Sequence, residues 1–252
     1  MKSSNPMLRD DVFDNTANTY ALTERPMSVA GTMNKLLLLS VILLIGAAAT
    51  YYQFSLKHYD YVMTLTWAGI IVSVICSIVI SFKHTLVPYL SPVFAFAQGV
   101  ALSAISCFFE SVQNGIVMQA VSVTFVVVFT MALLYKMKVI RATERLRSII
   151  VTATFSIFIF YLISIGLSFF GKNIAYFDPS NAYFYSPFAI GLNVVIALIA
   201  AFYLILDFDF IESGVRKSAP ALYEWYGAFG LLTSIAWLYL EILRLLSRLS
   251  KR

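Results

Sequence analysis

Long apolar runs separated by short polar breaks make up almost the whole chain. After a polar opening at 1–31, rich in charged and small residues, the runs recur at close to the length a helix needs to cross a bilayer core, about 20 residues. In order they predict spans at 36–52, 61–82, 86–109, 115–135, 148–170 and 184–206, with a seventh within 224–249. Only 81–85 separates the second from the third, which predicts a tight turn. Pro88 and Pro92 then fall near the start of a helix, where a missing N–H costs little. The pattern predicts an all-α membrane protein of seven transmembrane helices, with a flexible polar cytoplasmic arm at 1–31 and a transmembrane domain at 32–252.

Composition supports this. Of 252 residues, 60% are hydrophobic and 12% charged, against roughly a quarter charged in soluble domains. The net charge of +5 does not point to nucleic acid, because the basic residues lie between apolar runs rather than in a patch. The partner is the lipid bilayer, and the basic residues report orientation. The arm and the turns after spans two, four and six carry twelve Lys and Arg, and the opposite loops carry only Lys57 and Lys172. The arm is therefore expected on the cytoplasmic side of an inner membrane. It is not a cleaved signal peptide, since the first apolar run starts too late. The tail disagrees with the count. Arg244, Arg248, Lys251 and Arg252 would end up outside after a seventh crossing, so either the tail crosses against the rule or the last segment is partly re-entrant.

The remaining polar residues narrow the chemistry. Cys76 and Cys107 each lie in an apolar run and read as buried small hydrophobes. His58 and His84 stand alone at span ends, so no metal cluster is expected from them. No GxSxG, HExxH or Cys/His pair in register is present, and neither an enzyme nor a cofactor is expected. Gln98 inside span three reads as interhelical glue, worth about 0.6–2 kcal/mol in a membrane. Glu110 reads as a solvated carboxylate at the outer boundary. The aromatic-rich loop 171–187 reads as an anchor in the headgroup layer.

Five of the thirteen acidic residues crowd into 201–252: Asp207, Asp209, Glu212, Glu224 and Glu241. A carboxylate in or beside hydrocarbon usually faces a partner, water or an ion path. Asp207 and Asp209 read as the end of span six. They lie about 200° apart on a helix, whereas Asp209 and Glu212 share a face. Glu241 sits between LLTSIAWLYL and ILRLL, with Arg244 and Arg248 on its own face at i+3 and i+7. Its depth has two readings. In one straight helix from Glu224 it lies about 25 Å further along and cannot meet Asp207. If 219–230 is interfacial, with a bend at Gly227 and Gly230, Glu241 lies about 15 Å deep. Two carboxyls close together in low dielectric share a proton and give two packings, and when separated their oxygens suit a hard cation such as calcium.

The stretches SNPMLRDDVF, FAFAQGVALSAISCFFE, LILDFDFIESGV and EWYGAFGLLTSIAWLYLEILRLL resemble the bacterial branch of the Bax inhibitor-1 family over almost the whole chain after the arm. The resemblance implies a seven-helix fold with the last helix central. It also implies a pH-sensitive calcium leak, gated by paired acids in helices six and seven. By motif, Asp207 and Glu241 match those acids and are the implied gate and calcium ligands, with Asp209 beside them. Lys83 falls where a better-known branch carries an Arg that holds the closed state, and unlike Arg it cannot bond bidentately. Gln98 stands where relatives often carry Glu. Glu212, Glu224 and Arg244 complete the supporting set. The alternative function is a regulatory partner of a membrane-bound protease or quality-control complex, recruited through the arm at 1–31.

Overall fold

The computed structural model describes residues 25–170, 176 and 181–250. The expected arm therefore lies outside the described residues up to position 24. Among the described residues there are seven helices long and apolar enough to cross a membrane and no strand. They are α1 (Val29–Ser55), α2 (Tyr59–Phe82), α3 (Val87–Val112), α4 (Ile116–Lys136), α5 (Glu144–Phe169), α6 (Pro187–Arg216) and α7 (Leu222–Ser250).

The helix ends follow local chemistry. Ser28 caps α1 by accepting from the Gly31 N–H, and Thr143 caps α5 by accepting from Leu146. α6 opens on Pro187, where no N–H is needed, and Ser186 Oγ accepts from the Ala189 N–H. Glu110 is not merely a solvated boundary acid. Its two carboxylate oxygens accept from the Gly115 N–H (2.6 Å) and the Val117 N–H (3.1 Å), closing the turn into α4. Gly115 supplies the left-handed conformation that the turn requires, at φ 82°.

Three expectations change. The sixth helix does not end at 206 but continues to Arg216, so Asp207, Asp209 and Glu212 sit within it. Pro92 lies inside α3 rather than in its first turn. The stretch 219–230 forms no separate interfacial segment, because α7 is helical without interruption from Leu222 through Gly227 and Gly230 to Ser250. At 1.5 Å per residue its 29 residues span about 43 Å, so no re-entrant turn is needed to accommodate it.

The chain divides into two compact units. The first joins Met1–Phe108 to Asp207–Thr233, and the second joins Phe109–Leu206 to Ser234–Arg252. In the first unit, α1 and α3 meet backbone to backbone. A Cβ on Gly46 would run into the Phe96 carbonyl, and one on Gly99 into the Leu43 carbonyl. Small residues permit such an approach where lipid offers no hydrophobic drive between helices. Phe94 of α3 packs edge-on against Phe229 of α7 at 4.7 Å, and Tyr226 lies 5.6 Å from Phe210 of α6. In the second unit, Tyr176, Ala189 and Ile196 form a core flanked by Ile157, Phe160, Leu192 and Trp237. α3 and α7 are the most enclosed helices and α5 the least, as expected if α5 mainly faces lipid.

Candidate functional site

Two buried carboxylates, one in each unit, each gather several polar contacts. Glu224, in the first turn of α7, has no exposed surface. It is ion-paired with Lys35 of α1, and Arg25 Nη2 lies 3.2 Å from its Oε2. Its Oε1 accepts from both the main-chain N–H and the Oγ of Ser28, each at 2.9 Å. The chain packs there by backbone pairing as well. The Met27 N–H donates to the Ala219 carbonyl (2.7 Å) and the Ala221 N–H to the Arg25 carbonyl (3.0 Å). Gly31 is required beside this carboxylate, since a Cβ would occupy its place. The segment just before α1 is thus tied to the start of α7.

Glu241 lies deep in the apolar stretch of α7 and is 1% exposed. Arg244 Nη1 lies 2.9 Å from each carboxylate oxygen. The Tyr161 hydroxyl of α5 donates to Oε1 at 2.6 Å, and itself accepts from Arg244 at 3.2 Å. Asn193 of α6 donates through Nδ2 to Oε2 at 2.9 Å and to the Glu241 carbonyl at 3.3 Å. The carboxylate thus faces one cation and two neutral donors, the satisfied setting that a buried charge requires.

One turn further on, Arg248 is fully buried. Its guanidinium carbon lies 4.0 Å from the Tyr176 ring centre and 4.4 Å from that of Phe184, so cation–π attraction replaces hydration. It donates to the carbonyls of Ala189 and Tyr176. Burial pushes the Tyr176 hydroxyl above its ordinary value, while Arg248 pulls the other way. The loop tyrosine that reads from sequence as a membrane anchor is therefore core. The tail puzzle shrinks too: Arg244 is neutralised by Glu241 and Arg248 is enclosed, so neither acts as a free surface charge.

The other predicted residues are placed as follows. Asp207 is half-buried in the first unit, beside Gly230, and Asp209 is half-buried on the same helix. Glu212 is exposed, as is Lys83, which forms no ion pair among the described residues. Gln98 is half-buried on α3. Asp207 belongs to the first unit and Glu241 to the second. No group of three or more His, Cys, Asp or Glu among the described residues could hold a metal ion. Cys76 and Cys107 are both buried, as expected from their apolar runs. Sequence reasoning missed Lys35, Ser28, Tyr161 and Asn193. A Lys immediately before the first apolar run, and an Asn and a Tyr within later ones, were the available signals.

Seven helices among the described residues, each long and apolar enough to cross a membrane, with the buried carboxylates Glu224 and Glu241 held by donors from outside α7, define a polytopic α-helical membrane protein. A family model described as Bax inhibitor 1 like matches residues 5–251, and the chain belongs to that family. No curated protein matches it.

Proposed function

We propose that this protein is a pH-sensitive leak for calcium or a similar hard cation in a bacterial inner membrane. The N-terminus is cytoplasmic, and protons on Asp207 and Glu241 control the path. The observation that supports this reading is the setting of Glu241, a carboxylate at 1% exposure within an apolar helix. A proton taken up there removes the negative charge that Arg244 faces and disrupts the bonds from Tyr161 and Asn193. The groups that sense the change are Tyr161 on α5, Asn193 on α6, Arg244 and Arg248 on α7, and Tyr176 in the α5–α6 loop. Released from Arg244, carboxylate oxygens suit a cation that prefers hard ligands.

The test is calcium flux into liposomes containing the purified protein, followed across a pH series. Asp207→Asn and Glu241→Gln should each change the pH dependence. Flux that keeps its wild-type pH profile in both variants refutes the gate.

A further inference from the structure

We infer that the turn joining α4 to α5 is a docking surface for the headgroups of anionic phospholipids, with Lys136, Lys138, Arg141 and Arg145 as its cations. The stretch 136–147 carries five Lys or Arg and a single carboxylate, Glu144. Those four cations are exposed, Arg147 is half-buried, and none of the four forms an ion pair among the described residues. The turn has a definite shape. The N–H groups of Met137 (2.8 Å) and Lys138 (2.9 Å) donate back to the carbonyls of Leu133 and Tyr135, and that of Val139 (3.0 Å) to Leu134. Lys138 turns the chain in the left-handed conformation, at φ 58°. Thr143 then caps α5.

Helix electrostatics accounts for only half of these cations. Lys136 and Lys138 stand at the C-terminal end of α4, whose partial negative charge favours them. Arg141 and Arg145 stand at the opposite kind of end. α5 begins at Glu144, and a helix N-terminus carries partial positive charge. Glu144 answers that charge, whereas the two guanidiniums add to it. Together they attract a further anion, as helix N-termini do with phosphate. The apolar residues identify its source. Met137 and Val139, set between the cations, are each 63% exposed, and Ile149 is 66% exposed. Arg145 and Ile149, four apart, share one face of α5, and Leu133 and Lys136, three apart, share one face of α4. A free phosphate or a nucleic acid gives these apolar side chains nothing to touch. A phospholipid offers acyl chain beside its phosphate, so the basic side chains can lay their stems along hydrocarbon and place their charge in the headgroup layer.

The experiment titrates full-length protein, delipidated in detergent, with phosphatidylglycerol or phosphatidylcholine and reads bound lipid by native mass spectrometry. Wild type should hold phosphatidylglycerol the more tightly. Lys138→Gln/Arg141→Gln should weaken phosphatidylglycerol by about fivefold for each cation removed and leave phosphatidylcholine unchanged. Arg216→Gln/Lys217→Gln removes the same charge at the end of α6 and should keep the preference. An equal loss in both double variants overturns the inference, because net charge would then suffice. Lys138→Arg/Arg141→Lys keeps both charges and should retain the preference, and its loss there also overturns the inference. Should the double Gln variant not fold, Arg145→Gln decides by its own fivefold loss. Met137→Gln/Val139→Gln should weaken both lipids. If it weakens neither, and inorganic phosphate displaces phosphatidylglycerol, the turn takes a free anion and the lipid surface is refuted. Calcium flux is not part of the readout, so failure here leaves the proposed leak standing.

Discussion

Replacing Arg244 by Met tests how the buried charge on α7 is held. Glu241 is 1% exposed and the Arg244 side chain 18%, with Nη1 at 2.9 Å from the nearer carboxylate oxygen counted as the ion pair. Without the guanidinium, the carboxylate keeps only two neutral donors, Tyr161 and Asn193. Both are already present in the wild type, so they offset nothing new. Stranding one member of a buried pair costs about 3–5 kcal/mol. Because Arg244 is partly exposed, the lower end applies, so the expected loss is about 3 kcal/mol. Glu241→Gln should cost less, since the charge it leaves behind is the more exposed one. The double variant removes both charges and keeps an acceptor for Tyr161. It should recover about 2 kcal/mol relative to Arg244→Met, an interaction energy typical of touching residues. Equilibrium unfolding by steric trapping in bicelles measures all three. An Arg244→Met variant within about 0.5 kcal/mol of wild type, or strictly additive single changes, would refute the reasoning.

Lys35→Met should destabilise by about 2 kcal/mol, less than a fully stranded charge because Ser28 and the largely exposed Arg25 still reach Glu224. Amide hydrogen exchange should also speed up at Met27 and Ala221, whose N–H groups donate across to Ala219 and Arg25, and unchanged exchange rates there would argue against the tie between this segment and α7. Gly99→Val should cost at least about 1–3 kcal/mol, because the new side chain meets the Leu43 carbonyl of α1 rather than a movable side-chain tip. Gly191→Ala on α6, where an added Cβ meets nothing, serves as the control and should be neutral or stabilising by up to about 1 kcal/mol. Arg248→Lys should lose about 2 kcal/mol in thermal or trapping assays, since an ammonium cannot lie flat between Tyr176 and Phe184 while donating to two carbonyls.

Chain order alone determined the seven helices, among the described residues, that are long and apolar enough to cross a membrane, because apolar length is a local property. It also determined that Arg244 stands over Glu241, since residues three apart on a helix are neighbours whatever surrounds them. The end of α6 was misjudged because hydropathy registers the apolar run, while helical hydrogen bonding carries on through Asp207, Asp209 and Glu212 to Arg216. Only the tertiary structure decided what each buried charge meets. Glu224 lies 189 residues from Lys35, and Glu241 lies 80 from Tyr161 and 48 from Asn193. Separations of that size leave no periodic trace in a sequence. They arise because a charge withdrawn from water must find its partner in space, and packing brings distant helices together to provide it.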